Sequence, residues 1–110
     1  MNEPVFVKLI RVEENGTQTE YTDRRAIYKG KSGLFLFKII DKKTGMGNGE
    51  FRVIDEKGDP ASIRMSKGIS MEEGDHILVK TGHSMYIFTT EHNITEEEAE
   101  LLEASLADYN

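Results

Sequence analysis

The chain has 110 residues and a formal net charge of −6 at pH 7, with 37% hydrophobic and 31% charged residues. That length fits one globular domain, residues 1–110, and the absence of cysteine excludes disulfides, thiolate metal sites and a cysteine nucleophile. No apolar run approaches the roughly 18 residues of a membrane helix and the N-terminal segment lacks the pattern of a signal peptide, so we expect a soluble cytoplasmic protein.

The first β-strand is predicted over residues 5–12, VFVKLIRV, because these residues are rich in β-branched and aromatic side chains. Asn15-Gly16 follows, and this dipeptide is typical of a type I′ hairpin turn, in which both central residues need positive φ. We therefore expect a hairpin whose return strand is residues 17–22, TQTEYT.

Residues 34–41, LFLFKIID, are apolar on both faces apart from Lys38 and the terminal Asp, and this pattern predicts the most buried strand. Phe35 and Phe37 share one face of it. We favour a core position for both over an exposed surface on which nucleic-acid bases stack. The KKTGMGNG segment that follows lacks the strand–loop–helix context of a phosphate-binding loop, so we interpret it as a flexible hairpin loop.

Four further strands complete the predicted sheet: EFRVID from Glu50, ASIRMS after Pro60, HILVK from His76 and SMYIFTT from Ser84. Pro60 cannot donate a ladder hydrogen bond, which places it at the entrance of a strand. The last two segments are separated only by Thr-Gly-His and are expected to pair as a hairpin.

One stretch, KGISMEEGDHILVKTG at residues 67–82, resembles the C-terminal half of the AbrB-type swapped-hairpin DNA-binding domains, together with the upstream DEKGDPASIR. The resemblance implies DNA binding through that hairpin. The spacing between Gly68-Ile69 and Gly74-Asp75 is longer than in that family, and Gly-Asp is common wherever a turn enters a strand. We favour a plain β-hairpin.

The C-terminal segment changes from strand to helix periodicity. Thr95 and Glu98 form a capping-box pattern, and a helix is predicted over about residues 96–108. Its apolar stripe is Ala99, Leu102, Leu106 and Tyr109. The sequence therefore predicts an α+β fold: a β-rich part over residues 5–90, with about seven short antiparallel strands in a small barrel or strongly curved sheet, and one C-terminal amphipathic helix.

Charge is distributed unevenly along the chain. Residues 24–67 hold eleven Lys and Arg against five Asp and Glu, whereas residues 68–110 hold one Lys against ten Asp and Glu. An acidic surface favours docking to a basic partner.

Because no catalytic motif is visible, we interpret the chain as a small non-enzymatic protein-binding module, an accessory or inhibitor protein of a bacterium or phage. The predicted contact residues are Glu72, Glu73, Glu96, Glu97, Glu100 and Glu103.

Two alternatives stay open. The basic segment also suits nucleic acid, because phosphate binding requires only a positive surface. The residues predicted for this role are Arg24, Arg25, Lys29, Lys31, Lys42, Lys43 and Arg52. The second alternative is a small-ligand or metal-dependent enzyme, in which two or three of the histidines, with Asp75 and Glu91 nearby, could approach at one end of a hairpin and bind a metal. The three histidines are His76, His83 and His92. Histidines at strand ends are ordinary, and we predict no metal ligand and no cofactor.

Overall fold

The strands form one closed antiparallel barrel. The computed structural model of the chain describes residues 3–108, apart from the side chains of residues 25 and 108. Each strand of the described chain pairs with its predecessor, and the sixth returns to pair with the first. The strands are β1 Val5–Glu14, β2 Ser32–Asp41, β3 Met46–Ile54, β4 Pro60–Glu73, β5 His76–Lys80 and β6 Ser84–Thr89, followed by helix α1 Glu96–Ala104. The predicted α+β class is confirmed, with six strands in the described residues instead of about seven.

The barrel interior is filled by side chains. Phe35, Phe51 and Phe88 are fully buried, and the Phe88 ring centroid lies 5.1 Å from each of the other two. Phe37 belongs to the same cluster, so the prediction that the aromatic residues of LFLFKIID are core is confirmed. The Cα radius of gyration is 13.3 Å, close to the roughly 13 Å expected for a single compact domain of this length.

The predicted strand over residues 17–22 is wrong. Residues 15–31 form an irregular excursion, which contains the 3₁₀ segment Arg24–Ala26. Before that segment, the excursion pairs with β1 through an isolated bridge between Glu13 and Glu20. Gly16 has positive φ, but Asn15 does not, so the turn is not of type I′. The Asn15 side chain instead donates to the carbonyl oxygen of Thr81. This bond ties the excursion to the turn between β5 and β6.

Two predicted strand boundaries also differ. β3 begins at Met46, before the predicted Glu50, so Gly47 lies in the ladder and not in a flexible loop. A Cβ at Gly47 would collide with the carbonyl oxygen of Lys38, which explains why the ladder contains a glycine here. β4 is longer than predicted: it begins at Pro60, as expected, and continues to Glu73.

The long strand β4 changes neighbours along its length. Its first half pairs with β3 as far as Gly68, and its second half, from Ile69, pairs with β5. Lys67, with φ of 54°, stands at the bend. The KGISMEEGDHILVKTG stretch is thus the β4–β5 hairpin, paired within one chain, and the plain-hairpin interpretation is confirmed.

Helix α1 lies outside the barrel. Its N-cap is Thr95, and both hydrogen bonds of the capping box to Glu98 are present, as predicted. The helix ends at Ala104, earlier than expected, and the chain continues as the 3₁₀ segment Ser105–Asp108. The predicted stripe residue Tyr109 lies outside the described residues.

Candidate functional site

Helix α1 is fixed to the outer wall of the barrel by one apolar face. Leu102 is fully buried and clusters with Leu34 and Leu36, which project outward from β2. Leu106 and Ile94 pack at the edges of this cluster. Strand β2 is therefore buried on both faces from Gly33 to Phe37, by the core inside and by α1 outside. The predicted burial is wrong beyond Phe37, because the strand runs past the helix there and leaves Ile39 and Ile40 38% and 67% exposed.

Arg52 fixes the C-terminal end of the helix. Its guanidinium donates to the carbonyl oxygen of Ser105 at 2.6 Å and to the Ser105 hydroxyl at 3.0 Å, and it forms an ion pair with Glu50. A cation is favourable at this end, where helix carbonyls lack partners. The Arg52 side chain is only 13% exposed. The low exposure of Arg52 and its contacts with Glu50 and Ser105 therefore support a structural role for this residue more than the predicted contact with nucleic acid.

The opposite face of the helix is acidic and exposed. Glu96, Glu97, Glu100 and Glu103 are all exposed, and within the described chain none of them forms an ion pair. We call these four residues the acidic helix face. Because α1 is held by its other face, these carboxylates project into solvent without an ion-pair partner among the described residues.

An open cleft of about 680 Å³ runs beside the helix, between α1 and the outer face of β3 and β4. Leu101 and Ala104 line the helix side, and Pro60, Ser62 and Arg64 line the strand side. Leu101 is 47% exposed, which is unusual for a large apolar side chain on a docked helix. Leu101 and the cleft were not predicted from the sequence, because the strand that completes the cleft is distant in the chain.

The other two predicted acidic residues lie elsewhere. Glu72 and Glu73 stand at the end of β4, in the hairpin with β5. Glu72 is eight residues beyond Arg64 on the same strand, roughly 25 Å along it. The six glutamates predicted as one contact surface thus divide between the helix and this hairpin.

The predicted nucleic-acid residues are separated as well. Arg24, Lys29 and Lys31 lie in the β1–β2 excursion, while Lys42 and Lys43 lie in the β2–β3 turn. Because antiparallel strands alternate in direction, these two connections are at opposite ends of the barrel. The backbone of Arg25 lies with Arg24 in the 3₁₀ segment.

Acidic neighbours accompany the cations of the excursion. Lys29 forms an ion pair with Glu20, and the resulting side-chain hydrogen bond lowers the pKa of the Glu20 carboxyl below its ordinary value. Arg11 also contacts Glu20 and Glu13. Lys29 and Arg11 are thus paired with acids, and the basic residues of the excursion lie at the other end of the barrel from Lys42 and Lys43.

The three histidines do not converge. His76 begins β5, where its Nδ1 lies 3.2 Å from an Asp75 carboxylate oxygen, and His83 lies in the turn at the other end of β5. His92 lies in the linker before α1, against the ring of Phe6. Among the described residues, no group of three or more His, Asp or Glu side chains is arranged to hold a metal ion.

Comparisons with known proteins supply no relative: the chain matches no family model, no curated protein and no solved structure. In the described part of the chain, no helix has the length and apolar character needed to span a membrane.

Proposed function

We propose that this chain is a non-enzymatic protein-binding module whose acidic helix face docks a basic segment of another protein. The observation that carries the proposal is the set of four exposed, unpaired glutamates on a helix whose opposite side is anchored by Leu102 and Arg52. An anchored helix presents its charges at fixed positions, so a partner does not have to order them on binding.

Electrostatics supports a basic partner. Residues 91–110 contain seven Asp and Glu and no Lys or Arg, so no cation of that segment competes for the acidic helix face. A concentrated negative surface accelerates encounter with positive partners and disfavours negative ones.

The cleft beside α1 supplies the apolar part of the contact. Charged rim contacts contribute little affinity by themselves, whereas an apolar anchor in a pocket contributes much more. Leu101 provides such a contact next to Glu97 and Glu100, one helical turn or less away. The partner segment we expect therefore combines Lys or Arg with a large apolar side chain that enters the cleft.

The test compares two double charge reversals with equal net charge. E97K/E100K changes the acidic helix face, and E3K/E56K changes two other exposed glutamates, one before β1 and one in the β3–β4 turn. Each protein is used to capture partners from a lysate, and the affinity of a purified candidate is then measured by calorimetry at low and near-physiological salt. We expect E97K/E100K to weaken binding about 30-fold or more, since two favourable pairs become repulsive, while E3K/E56K binds like the original protein.

Two results would overturn the proposal: captured partners that bind E97K/E100K with unchanged affinity, or partners with no basic surface. The variant E72K/E73K asks separately whether the hairpin glutamates take part. We expect it to bind normally, because Glu72 and Glu73 lie away from the cleft.

The nucleic-acid alternative is tested with labelled single- and double-stranded DNA and RNA, followed by fluorescence anisotropy at two salt concentrations. We expect no binding, because the predicted basic residues occupy opposite ends of the barrel and Lys29 is paired with Glu20. Binding that weakens steeply with salt would replace our proposal with the nucleic-acid function.

A further inference from the structure

The outer wall of the barrel differs in character from strand to strand. On β3 and the first half of β4 most outward residues are polar, as expected for a wall that faces water; among them are Asn48, Glu50, Ser62 and Arg64. The apolar residues Met46 and Ile54 stand at the two ends of β3, and Ile54 packs in the cluster beneath α1. On β2 the outward residues Leu34 and Leu36 are apolar, and helix α1 covers them.

A second apolar region of the wall lies on β4, β5 and β6. Ile77 and Val79 of β5 point into the core, so Leu78 between them points outward. The ladder places Leu78 between Met71 of β4 and Ile87 of β6, which form with it one row across three strands. We call Met71, Leu78 and Ile87 the apolar row. Met71 is 38% exposed.

The row beside it is also largely apolar. Ile69 and Met85 flank Lys80 there, one on each neighbouring strand. Helix α1 packs on β2 and β3, and the Arg24–Ala26 segment packs on β1, whereas the main packing partners of β5 and β6 in the described chain are their ladder neighbours. The second apolar region therefore lacks the cover that α1 gives to the first.

We propose that a second copy of this chain covers the apolar row, in a two-fold symmetric dimer whose axis runs along that row. The symmetry places Leu78 against the partner's Leu78. A residue on one side of the row then faces the residue that lies on the other side of the row on the same strand of the partner. Like apolar residues then face one another across the centre of the interface, in the manner of two packed sheets.

The charges beside the row favour a second copy as the occupant. On one side of the apolar row lie Glu73 of β4 and Lys8 of β1; on the other lie Lys80 of β5 and Glu13 of β1. The two-fold operation exchanges these sides. Lys8 comes to face the partner's Glu13, and Lys80 comes to lie beside the partner's Glu73. These two opposing pairs have opposite charges, so the two sides of the row are complementary to each other. Lys80 also faces the partner's His76, and Arg11, which lies opposite Ile87 on β1, faces the partner's Arg11 while it stays bound to Glu13 and Glu20 of its own chain.

These pairs are available only between copies. Within one chain, Glu73 and Lys80 lie on opposite sides of the row and about 13 Å apart along the strand direction, too far for an ion pair. In the described chain no ion pair involves Lys8, Lys80 or Glu73, whereas Glu13 is already paired with Arg11 and would share its carboxylate with the partner's Lys8. The dimer also leaves the acidic helix face free, because α1 lies on the β2–β3 wall.

The oligomeric state tests this proposal on the full chain. Light scattering after gel filtration and sedimentation equilibrium are run up to roughly 200 µM, where a dimer with a Kd on the order of 10 µM would be mostly assembled. We expect a dimer that dissociates on dilution. A protein that remains monomeric at the highest concentration would overturn the proposal.

Two sets of variants locate the interface. L78D should raise the dimer Kd by about 100-fold, since it places a carboxylate at the apolar centre, whereas I27D, which changes an exposed isoleucine of the β1–β2 excursion, should not. K80E and E73K should each weaken the dimer about 5-fold or more, and the double variant K80E/E73K should restore it to within about 3-fold. Circular dichroism confirms that each variant is folded. Equal dimerisation of L78D and the original protein, or a double variant weaker than both single ones, would overturn the proposed interface.

Discussion

Replacing Arg52 with alanine should destabilise the protein and loosen helix α1. Arg52 and Glu50 are 13% and 12% exposed, so the substitution leaves a mostly buried carboxylate without its cation. It also removes the donor to the Ser105 carbonyl oxygen at the end of the helix. Losing one partner of a buried ion pair costs about 3–5 kcal/mol, and the remaining exposure lowers our expectation to about 2–4 kcal/mol.

The assay is chemical denaturation, compared with R64A as a matched control. Arg64 is exposed on the adjacent strand and has no ion-pair partner among the described residues, so R64A should change the free energy of unfolding by less than about 0.5 kcal/mol. Hydrogen exchange should show faster exchange of α1 amides in R52A than in R64A. If both variants have the same stability and the same exchange, Arg52 does not fix the helix as we describe.

Three other predictions concern local features of the fold. L102A should lower the free energy of unfolding by about 3 kcal/mol in the same denaturation assay, because Leu102 is fully buried beneath the helix. G47A should cost about 2 kcal/mol because its Cβ meets the Lys38 carbonyl oxygen, whereas G82A, which has open space, should be neutral. K29M should raise the pKa of Glu20 toward its ordinary value, measured by NMR titration; unchanged titration would contradict the ion pair. Since this pKa is lowered in the folded state, Glu20 stabilises the protein above its unfolded pKa of roughly 4.3, and the contribution is lost as the pH falls through the folded value.

Helix α1 was predictable because its signals are local. The capping box joins Thr95 to a residue three positions away, and the apolar stripe repeats within a few turns. The hairpin at Asn15-Gly16 was predicted from an equally local signal and was wrong. There the Asn15 side chain bonds the Thr81 carbonyl oxygen, 66 residues away, and the returning segment pairs with β1 at an isolated bridge between Glu13 and Glu20 and forms no strand. A long-range contact overrides the turn propensity.

The length of β4 shows a second limit of local patterns. The Ser-Lys-Gly sequence at residues 66–68 predicts the end of a strand, yet the strand bends there and acquires a new neighbour. Positive φ at Lys67 and the hydrogen bond from its amide to the Asn48 side chain accommodate the bend. Both features depend on β3, which the local sequence of β4 does not contain.

The candidate site was only partly predictable. The acidic helix face was expected from composition and helix periodicity, but its separation from Glu72 and Glu73 follows from the barrel topology. The apolar row did have a signal in the sequence. HILVK and SMYIFTT are apolar at consecutive positions, which indicates strands covered on both faces, as for LFLFKIID.

The covering of the wall connects the two proposals. In a barrel this small, the inward side chains fill the interior, so apolar residues that point outward need a second layer to exclude water. Helix α1 provides that layer for Leu34 and Leu36. A second copy would provide it for Leu78 and its row. If both proposals hold, each dimer carries two acidic helix faces outside its interface, and a partner with two basic segments would bind with the added strength of two linked contacts.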